Sequence, residues 1–217
     1  MILGFVMDKK RVLAIVQTLK EIYPDAECAL KYEGDPWRLL VMGRLSAQCT
    51  DARVNIVCEN LFEAYPTAYD MAKAEAEEIE PYIFSCGLYK TKARDLVGAS
   101  RLLVDKYNGT LPDTMEELLT FPGVGRKIAN LLLGDIYKKP AIVADTHCIR
   151  ISVRLGLVPQ NAKTPEKVER TLSGIIPPEA QSDFCHRIVW FGREYCQARG
   201  QICDKCPMNS LCDKVGV

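Results

Sequence analysis

The sequence lacks an excess of charge of either sign, because 28 basic residues balance 28 acidic ones over 217 residues. A zero net charge excludes nucleic-acid binding through the field of the whole chain, so DNA binding would need a local basic face. No apolar run approaches the roughly 18 residues that a membrane span requires. The apolar start, Met1 to Met7, is too short for a secretory signal and has no basic leader. We therefore expect a cytoplasmic protein without membrane contact.

Strand signals and internal repeats are also scarce. The four-residue apolar run Ala141-Ile142-Val143-Ala144 is as compatible with a buried connection as with a strand. Elsewhere apolar residues recur at helical spacing, which predicts an all-α fold with short connections. The predicted helices lie near 12–22, 39–45, 54–62, 92–107, 113–120, 127–137, 146–157, 165–175 and 180–198. Asp8 is predicted to cap the first helix, and Asp113 with Glu116 to form a capping box.

Ten cysteines are unusual in a chain with no sign of secretion, and a disulfide framework is not expected. Six are scattered and are predicted to be small buried hydrophobic residues. The other four follow the pattern Cys196-x6-Cys203-x2-Cys206-x5-Cys212, which predicts a metal site with four thiolate ligands. Zinc sites usually pair two Cys-x2-Cys halves, and ferredoxins use a different spacing. Spacing alone leaves zinc and an iron–sulfur cluster open.

A glycine-rich turn, Phe121-Pro122-Gly123-Val124-Gly125-Arg126-Lys127, lies between two predicted helices. Glycines permit positive φ angles and close backbone approach, and a helix beginning near Val124 would direct free N–H groups out of the turn. Such a turn can hold a phosphate oxygen, although a plain helix–turn–helix connection explains it equally. Lys127 falls in the first helical turn, where the helix dipole disfavours an ammonium, so it is a candidate amine nucleophile as well as an ordinary solvated lysine.

Asp145-Thr146-His147 follows the short apolar run at the head of another predicted helix. Asp145 is a typical N-cap, and a cap also fixes the direction of a carboxylate that takes part in catalysis. His147, Arg150 and Arg154 share one face of that helix. The stripe is typical of a solvent-exposed face, and its arginines would also suit phosphate groups.

These motifs together resemble the endonuclease III family. The resemblance runs from about Val12 to Cys212, with matching order and intervals. The hairpin followed by an aspartate is common to helix-hairpin-helix glycosylases, whereas the lysine in the hairpin and the cysteine spacing are more specific to this family. The matching segments are Leu45-Ser46-Ala47-Gln48, Gly87-Leu88-Tyr89, the hairpin 121–127, Asp145-Thr146-His147 and the four cysteines.

The resemblance implies a two-domain helix-hairpin-helix glycosylase fold. Residues 29–139 would form a six-helix barrel domain, and residues 1–28 with 140–217 would form an iron–sulfur cluster domain. Double-stranded DNA would bind in a cleft between them, and we expect a monomer. The resemblance also implies that Cys196, Cys203, Cys206 and Cys212 hold a [4Fe–4S] cluster.

The implied activity is that of a bifunctional DNA glycosylase and abasic-site lyase acting on oxidised pyrimidines. Lys127 would form a Schiff base with the sugar, and Asp145 would assist. Gln48 and Leu88 would fill the gap left by the flipped nucleotide. The residues expected to contact DNA phosphates are Gly123, Val124, Gly125, Arg126, His147 and Arg150.

Two alternative functions stay open beside this one. A thymine-mismatch glycosylase of the same superfamily would generally lack lysine at position 127, and a mismatch adenine glycosylase would carry a further C-terminal domain. A non-catalytic iron–sulfur DNA-binding protein would need no Lys127 and Asp145 pair. The sequence also departs from the family at Gly43-Arg44, where the common pattern is more apolar, and Arg199 is the sole basic residue between Cys196 and Cys203.

Overall fold

A computed structural model describes residues 8–162 and 164–217. The expectation that Met1 to Met7 is not a secretory signal therefore concerns residues outside the described ones. No strand occurs in this part of the chain, and the all-α prediction is confirmed. Residues 141–144 form an irregular connection rather than a strand. In the described ranges, no helix is both long and apolar enough to cross a membrane.

The α-helices are named α1 to α11 in chain order. They are α1 (Lys9–Ile22), α2 (Pro36–Leu45), α3 (Asp51–Ala64), α4 (Ala68–Lys73), α5 (Ala76–Ile83), α6 (Tyr89–Tyr107), α7 (Met115–Leu118), α8 (Arg126–Asp135), α9 (Thr146–Arg154), α10 (Pro165–Ile175) and α11 (Gln181–Glu194). Short 3-10 helices occupy Phe84–Cys86, Pro178–Ala180 and Cys203–Lys205.

The chain divides into two compact units. Cys28–Tyr137 forms one, here the hairpin unit, and it contains α2 to α8. The described residues up to Glu27, together with Lys138–Val217, form the other, here the cysteine unit. The domain limits expected from the sequence, 29–139, differ from the hairpin unit by one residue at its start and two at its end.

The hairpin unit is arranged around α6, which packs on α4 and α5, while α2 packs on α8. The approach of α2 to α8 depends on Gly43. A Cβ atom there would lie 3.3 Å from Cγ2 of Ile128 in α8, so there is little room for a larger residue. Gly43 therefore allows α2 to lie close to the helix that carries Lys127.

The cysteine unit has its own apolar core, in which α1 and α9 pack on α11, and α10 packs on α9. Ile15, Leu19, Ile151 and Ile188 are fully buried there. In the described residues, four of the six scattered cysteines are buried as predicted, whereas Cys28 and Cys49 are only half-buried. The described cysteines form no disulfide.

Helix starts test the capping predictions. Asp8 caps α1 as predicted, because its carboxylate accepts a hydrogen bond of 2.9 Å from the Lys10 amide. The box predicted at Asp113 and Glu116 is wrong by one residue, since the Thr114 hydroxyl accepts from the Glu117 amide at 3.3 Å. The chain offers both pairs at the same spacing, and the structure uses the second, with Leu118 of the same helix buried in the core.

Candidate active site and cysteine cluster

The hairpin turn joins α7 to α8 and is anchored by Phe121, which is buried and stacks on Tyr107 with ring centroids 5.4 Å apart. The Val124 amide donates to the Phe121 carbonyl at 3.1 Å, which closes the turn. Gly125 is extended and caps α8, so the helix begins at Arg126 rather than near Val124 as expected. Gly123 has φ +74°, whereas Gly125 has φ −102° and does not use the left-handed region.

An ion pair lies directly against Gly123. Arg44 of α2 donates from Nε to Asp95 Oδ2 of α6 at 2.7 Å, and its Nη2 lies 2.6 Å from the same oxygen. A Cβ atom on Gly123 would lie 2.5 Å from Arg44 Nε and 2.8 Å from Asp95 Oδ2. Arg44 thus places a charged group, paired with Asp95, directly against the turn. The sequence pattern gave no sign that Asp95 is its partner.

Lys127 is the second residue of α8 and its side chain is exposed. It follows the turn by two residues, so its amine is carried on the same rigid helix start that presents the backbone N–H groups of the hairpin. Gly123, Val124, Gly125, Arg126 and Lys127 therefore belong to one continuous element of the hairpin unit.

Asp145 caps α9 in the cysteine unit, as predicted. Its Oδ1 accepts from the Cys148 amide at 2.7 Å, and its Oδ2 lies 3.4 Å from His147 Nδ1. The carboxylate is largely but not wholly buried, with 18% of the side chain exposed. The cap fixes one oxygen, while the second oxygen faces the imidazole.

The two arginines that follow are directed inward instead of toward solvent. Arg154 is buried, and its guanidinium donates to Cys196 Sγ at 3.3 Å and to the carbonyls of Gln197 at 2.6 Å and Ala198 at 3.3 Å. Its predicted place in a solvent-facing stripe is therefore wrong. Arg150 donates to the Cys196 carbonyl at 3.0 Å, and burial lowers the pKa of its guanidinium. Helical periodicity did not reveal this, because the acceptors lie over 40 residues away along the chain.

Gln48 and Leu88 have the same unusual backbone conformation. Their φ angles are 55° and 49°, in the left-handed region that residues other than glycine seldom adopt. Both residues are exposed, and 59% of Leu88 is accessible. Each therefore projects from a constrained turn at the surface of the hairpin unit.

The four C-terminal cysteines line one cavity of the cysteine unit, together with apolar side chains that include Phe191 and Met208. Burial, as the largest effect, raises the pKa of both Cys206 and Cys212. Amide and guanidinium N–H groups already point at sulfur: Lys214 N lies 3.3 Å from Cys212 Sγ, in addition to the Arg154 contact with Cys196. Four thiols around an apolar cavity, with N–H groups directed at sulfur, fit a metal–sulfur group.

Comparisons with known proteins define the class. The sequence model of the protein family described as "HhH-GPD superfamily base excision DNA repair protein" matches residues 41–178, which is more than half of the chain. This range contains the hairpin, Lys127 and Asp145. The helical fold and the hairpin thus belong to a base excision repair protein of the helix-hairpin-helix superfamily.

Individual relatives narrow the class further. The chain is 43% identical to the endonuclease III of Synechocystis sp. over 94% of this chain and 92% of that protein. It is 38% identical to the endonuclease III of Bacillus subtilis over 95% of this chain and 93% of that protein. A solved structure of a non-covalent endonuclease III–DNA complex superposes with a TM-score of 0.90, at 41% identity, covering 96% of this chain and 97% of that one. The chain belongs to the endonuclease III family.

The family establishes the general activity, which is that of a DNA glycosylase and abasic-site lyase of base excision repair. The matches favour neither the thymine-mismatch glycosylase nor the non-catalytic iron–sulfur protein. Both relatives are named endonuclease III, and this chain matches them over nearly their full length.

Proposed function

We propose that the protein excises oxidised pyrimidines from double-stranded DNA and cuts the strand at the resulting abasic site, with Lys127 as nucleophile and Asp145 as the assisting carboxylate. The observation that carries this proposal is the position of Lys127, an exposed amine in the first turn of the helix that follows the hairpin. A lysine amine there can reach a sugar carbon while the adjacent turn binds the backbone.

In the first step the damaged nucleotide is flipped out of the duplex, because its sugar carbon is inaccessible inside the base stack. The Lys127 amine attacks C1′, the bond from C1′ to the base breaks, and the base leaves with its electron pair. Asp145 accepts a proton or stabilises the positive charge that develops on the sugar. Its N-cap hydrogen bond fixes the carboxylate, so little reorganisation is needed during the step.

In the second step the sugar ring opens to give a Schiff base between Lys127 and C1′. Removal of a proton from C2′ then eliminates the 3′ phosphate, breaking the C3′–O bond and cutting the strand on the 3′ side. Hydrolysis of the Schiff base regenerates the Lys127 amine.

The DNA contacts follow from the hairpin geometry and from the conformation of the two exposed turns. The backbone N–H groups of Gly123, Gly125 and Arg126 would bind a phosphate, whereas that of Val124, expected from the sequence to do the same, donates to the Phe121 carbonyl. Gln48 and Leu88 would fill the gap left by the flipped nucleotide. His147 would contact the backbone beside Asp145. Arg150 would contribute less than the sequence suggested, because its guanidinium is partly engaged by the Cys196 carbonyl. A solved endonuclease III–DNA complex at 41% identity supports duplex DNA as the partner.

Cys196, Cys203, Cys206 and Cys212 would hold a [4Fe–4S] cluster, which contributes folding free energy and no hydrolytic chemistry. Their common cavity and the N–H groups aimed at two of the sulfurs support this assignment. The protein would act as a monomer. Its substrate places it in the compartment that holds genomic DNA, which in a bacterium is the cytoplasm at the nucleoid.

Borohydride trapping on thymine-glycol and abasic duplexes tests the proposal. Wild-type protein should be trapped covalently, and Lys127→Ala should not be trapped. Asp145→Asn keeps the helix cap, because asparagine caps as well as aspartate, but it should lower the glycosylase rate at least about 100-fold. Lys73→Ala, an exposed lysine of α4, serves as the matched control. Full trapping of Lys127→Ala, or unchanged activity of Asp145→Asn, would overturn these assignments.

A further inference from the structure

Lys92 in α6 is a charged residue with no solvent exposure at all. Fully buried lysines are rare and need complete pairing of the ammonium. Its Nζ donates three hydrogen bonds, to the carbonyl oxygens of Leu45 at 2.8 Å, Ala47 at 2.7 Å and Cys86 at 2.7 Å. An ammonium has three donors, so each is used on a main-chain oxygen and none is left for solvent or substrate.

These three carbonyls belong to two separate segments of the hairpin unit. Leu45 is the last residue of α2, and Ala47 directly precedes Gln48. Cys86 ends a 3-10 turn and precedes Gly87 and Leu88. The Lys92 ammonium therefore ties the turn that ends in Gln48 to the turn that ends in Leu88.

The same lysine also fixes the second turn through its main chain. Leu88 is the N-cap residue of α6, and the Lys92 amide donates to the Leu88 carbonyl at 3.0 Å. Cys86 and Leu88 are thus held from one side by the side chain and backbone of a single residue. Rotation of the Leu88 turn would break bonds at both places.

The backbone of both turns needs such support. Gln48 and Leu88 each adopt a left-handed conformation without being glycine, at φ 55° and 49°. A conformation of this kind persists only when the surrounding structure holds it in place. The exposed side chains of Gln48 and Leu88 contribute little packing, and the Lys92 hydrogen bonds are a restraint that the two segments share, beside a contact between the Cys49 and Cys86 thiols.

We propose that Lys92 is a positioning residue that holds Gln48 and Leu88 together in the geometry required to fill the gap in the duplex. This inference rests on the proposed function, in which those two side chains enter the DNA. Lys92 itself does not touch the substrate. Burial lowers the pKa of its ammonium, while the three carbonyl acceptors hold the donors in place.

The test compares Lys92→Met with wild type in single-turnover reactions on two duplexes. One duplex carries thymine glycol, which must be flipped from the stack, and the other carries a preformed abasic site, which needs less extrusion. We expect the glycosylase rate to fall about tenfold or more, with the lyase rate on the abasic site changed by less than about threefold. The fluorescence of 2-aminopurine opposite the lesion should rise less than with wild type. Lys73→Met is the control for loss of a lysine charge.

A double-mutant cycle separates positioning from general destabilisation. If Lys92 acts through the two turns, Leu88→Ala should cost little further activity in the Lys92→Met background, whereas independent roles give multiplied losses. Lys92→Arg keeps N–H donors but places them at a different distance from the three carbonyls. If Lys92→Met does not fold, the same cycle is measured with Lys92→Arg.

Equal losses on both duplexes, multiplicative losses in the cycle, or a glycosylase rate within about twofold of wild type would overturn the inference while the proposed function stands. A wild-type protein that neither excises the glycol nor is trapped by borohydride would overturn both.

Discussion

The two hairpin glycines differ in what an added methyl group would meet. At Gly125 a Cβ atom would have no neighbour within 4 Å, and the backbone there is extended. At Gly123 it would collide with the Arg44–Asp95 ion pair, on a backbone with φ +74°. The structure therefore has room for a larger residue at Gly125 but not at Gly123.

We expect Gly123→Ala to lower the free energy of unfolding by at least about 1–2 kcal/mol, because alanine is strained in the left-handed region and displaces the ion pair. Weaker binding of an abasic duplex should accompany it, since the turn that presents the N–H groups would shift. Gly125→Ala, compared only for stability, should cost less than about 1 kcal/mol. Urea unfolding at fixed salt measures both variants, and equal losses would contradict the steric argument.

Lys92 shows at the residue scale why part of the site could not be predicted from the sequence. A lysine in an amphipathic helix is normally solvated, and nothing local distinguishes Lys92 from its neighbour Lys90, which is exposed. What distinguishes it is the position of carbonyls from Leu45, Ala47 and Cys86, which only the folded unit brings to one point. Lys127 and Asp145, by contrast, are predicted as site residues through the resemblance to the endonuclease III family, because each lies in a contiguous motif that this resemblance includes.

At the scale of elements, α9 connects the Asp145 cap to the cysteine segment. The helix carries Asp145 at its start and ends at Arg154. The Arg154 side chain binds residues 196–198, and its carbonyl accepts from Cys212 Sγ at 3.2 Å and from the Val215 amide at 3.2 Å. One helix terminus therefore contacts the first and last of the four cysteines.

Arg154→Met should weaken retention of the proposed cluster. The substitution removes the donor that binds the carbonyls of Gln197 and Ala198 and the N–H contact with the Cys196 sulfur, so the segment that carries Cys196 loses three of its contacts with α9. We expect less iron per chain and faster loss of absorbance near ~400 nm in mild denaturant. Arg170→Met, an exposed arginine of α10, is the matched control. Iron content and bleaching rates equal to those of the control would contradict this role.

Periodicity predicts nine of the eleven α-helices in the described residues, but it missed the short helices α4 and α5, and helix ends depend on local competition. Asp8 is correctly predicted as a cap, but Thr114 replaces Asp113 as the cap of α7, because the chain offers two overlapping capping pairs at the same spacing. The start of α8 shifts from Val124 to Arg126, because the Val124 amide is used in closing the turn. The start of α8 decides which N–H groups the hairpin presents.

At the scale of the whole molecule, the two units have separate cores, and the chain's two tryptophans are divided between them. Trp37 is buried in α2, where its indole N–H donates to Ser100 at 3.0 Å. Trp190 lies in α11 of the cysteine unit and is 42% exposed. Single-tryptophan variants, Trp190→Phe and Trp37→Phe, therefore report the hairpin unit and the cysteine unit separately.

Loss of the proposed cluster should destabilise the two units unequally. A metal–sulfur group that binds only the folded state contributes its binding free energy to the unit that holds it, and all four cysteines lie in the cysteine unit. In each single-tryptophan background we expect Cys206→Ala to lower the Tm reported by Trp190 by at least about 10 °C, and that reported by Trp37 by less than about 3 °C. Asp204→Ala, an exposed non-ligand in the same segment, should change neither. Equal shifts at both tryptophans would show that the units unfold as one, and an unchanged Tm at Trp190 would remove the structural role assigned to the four cysteines.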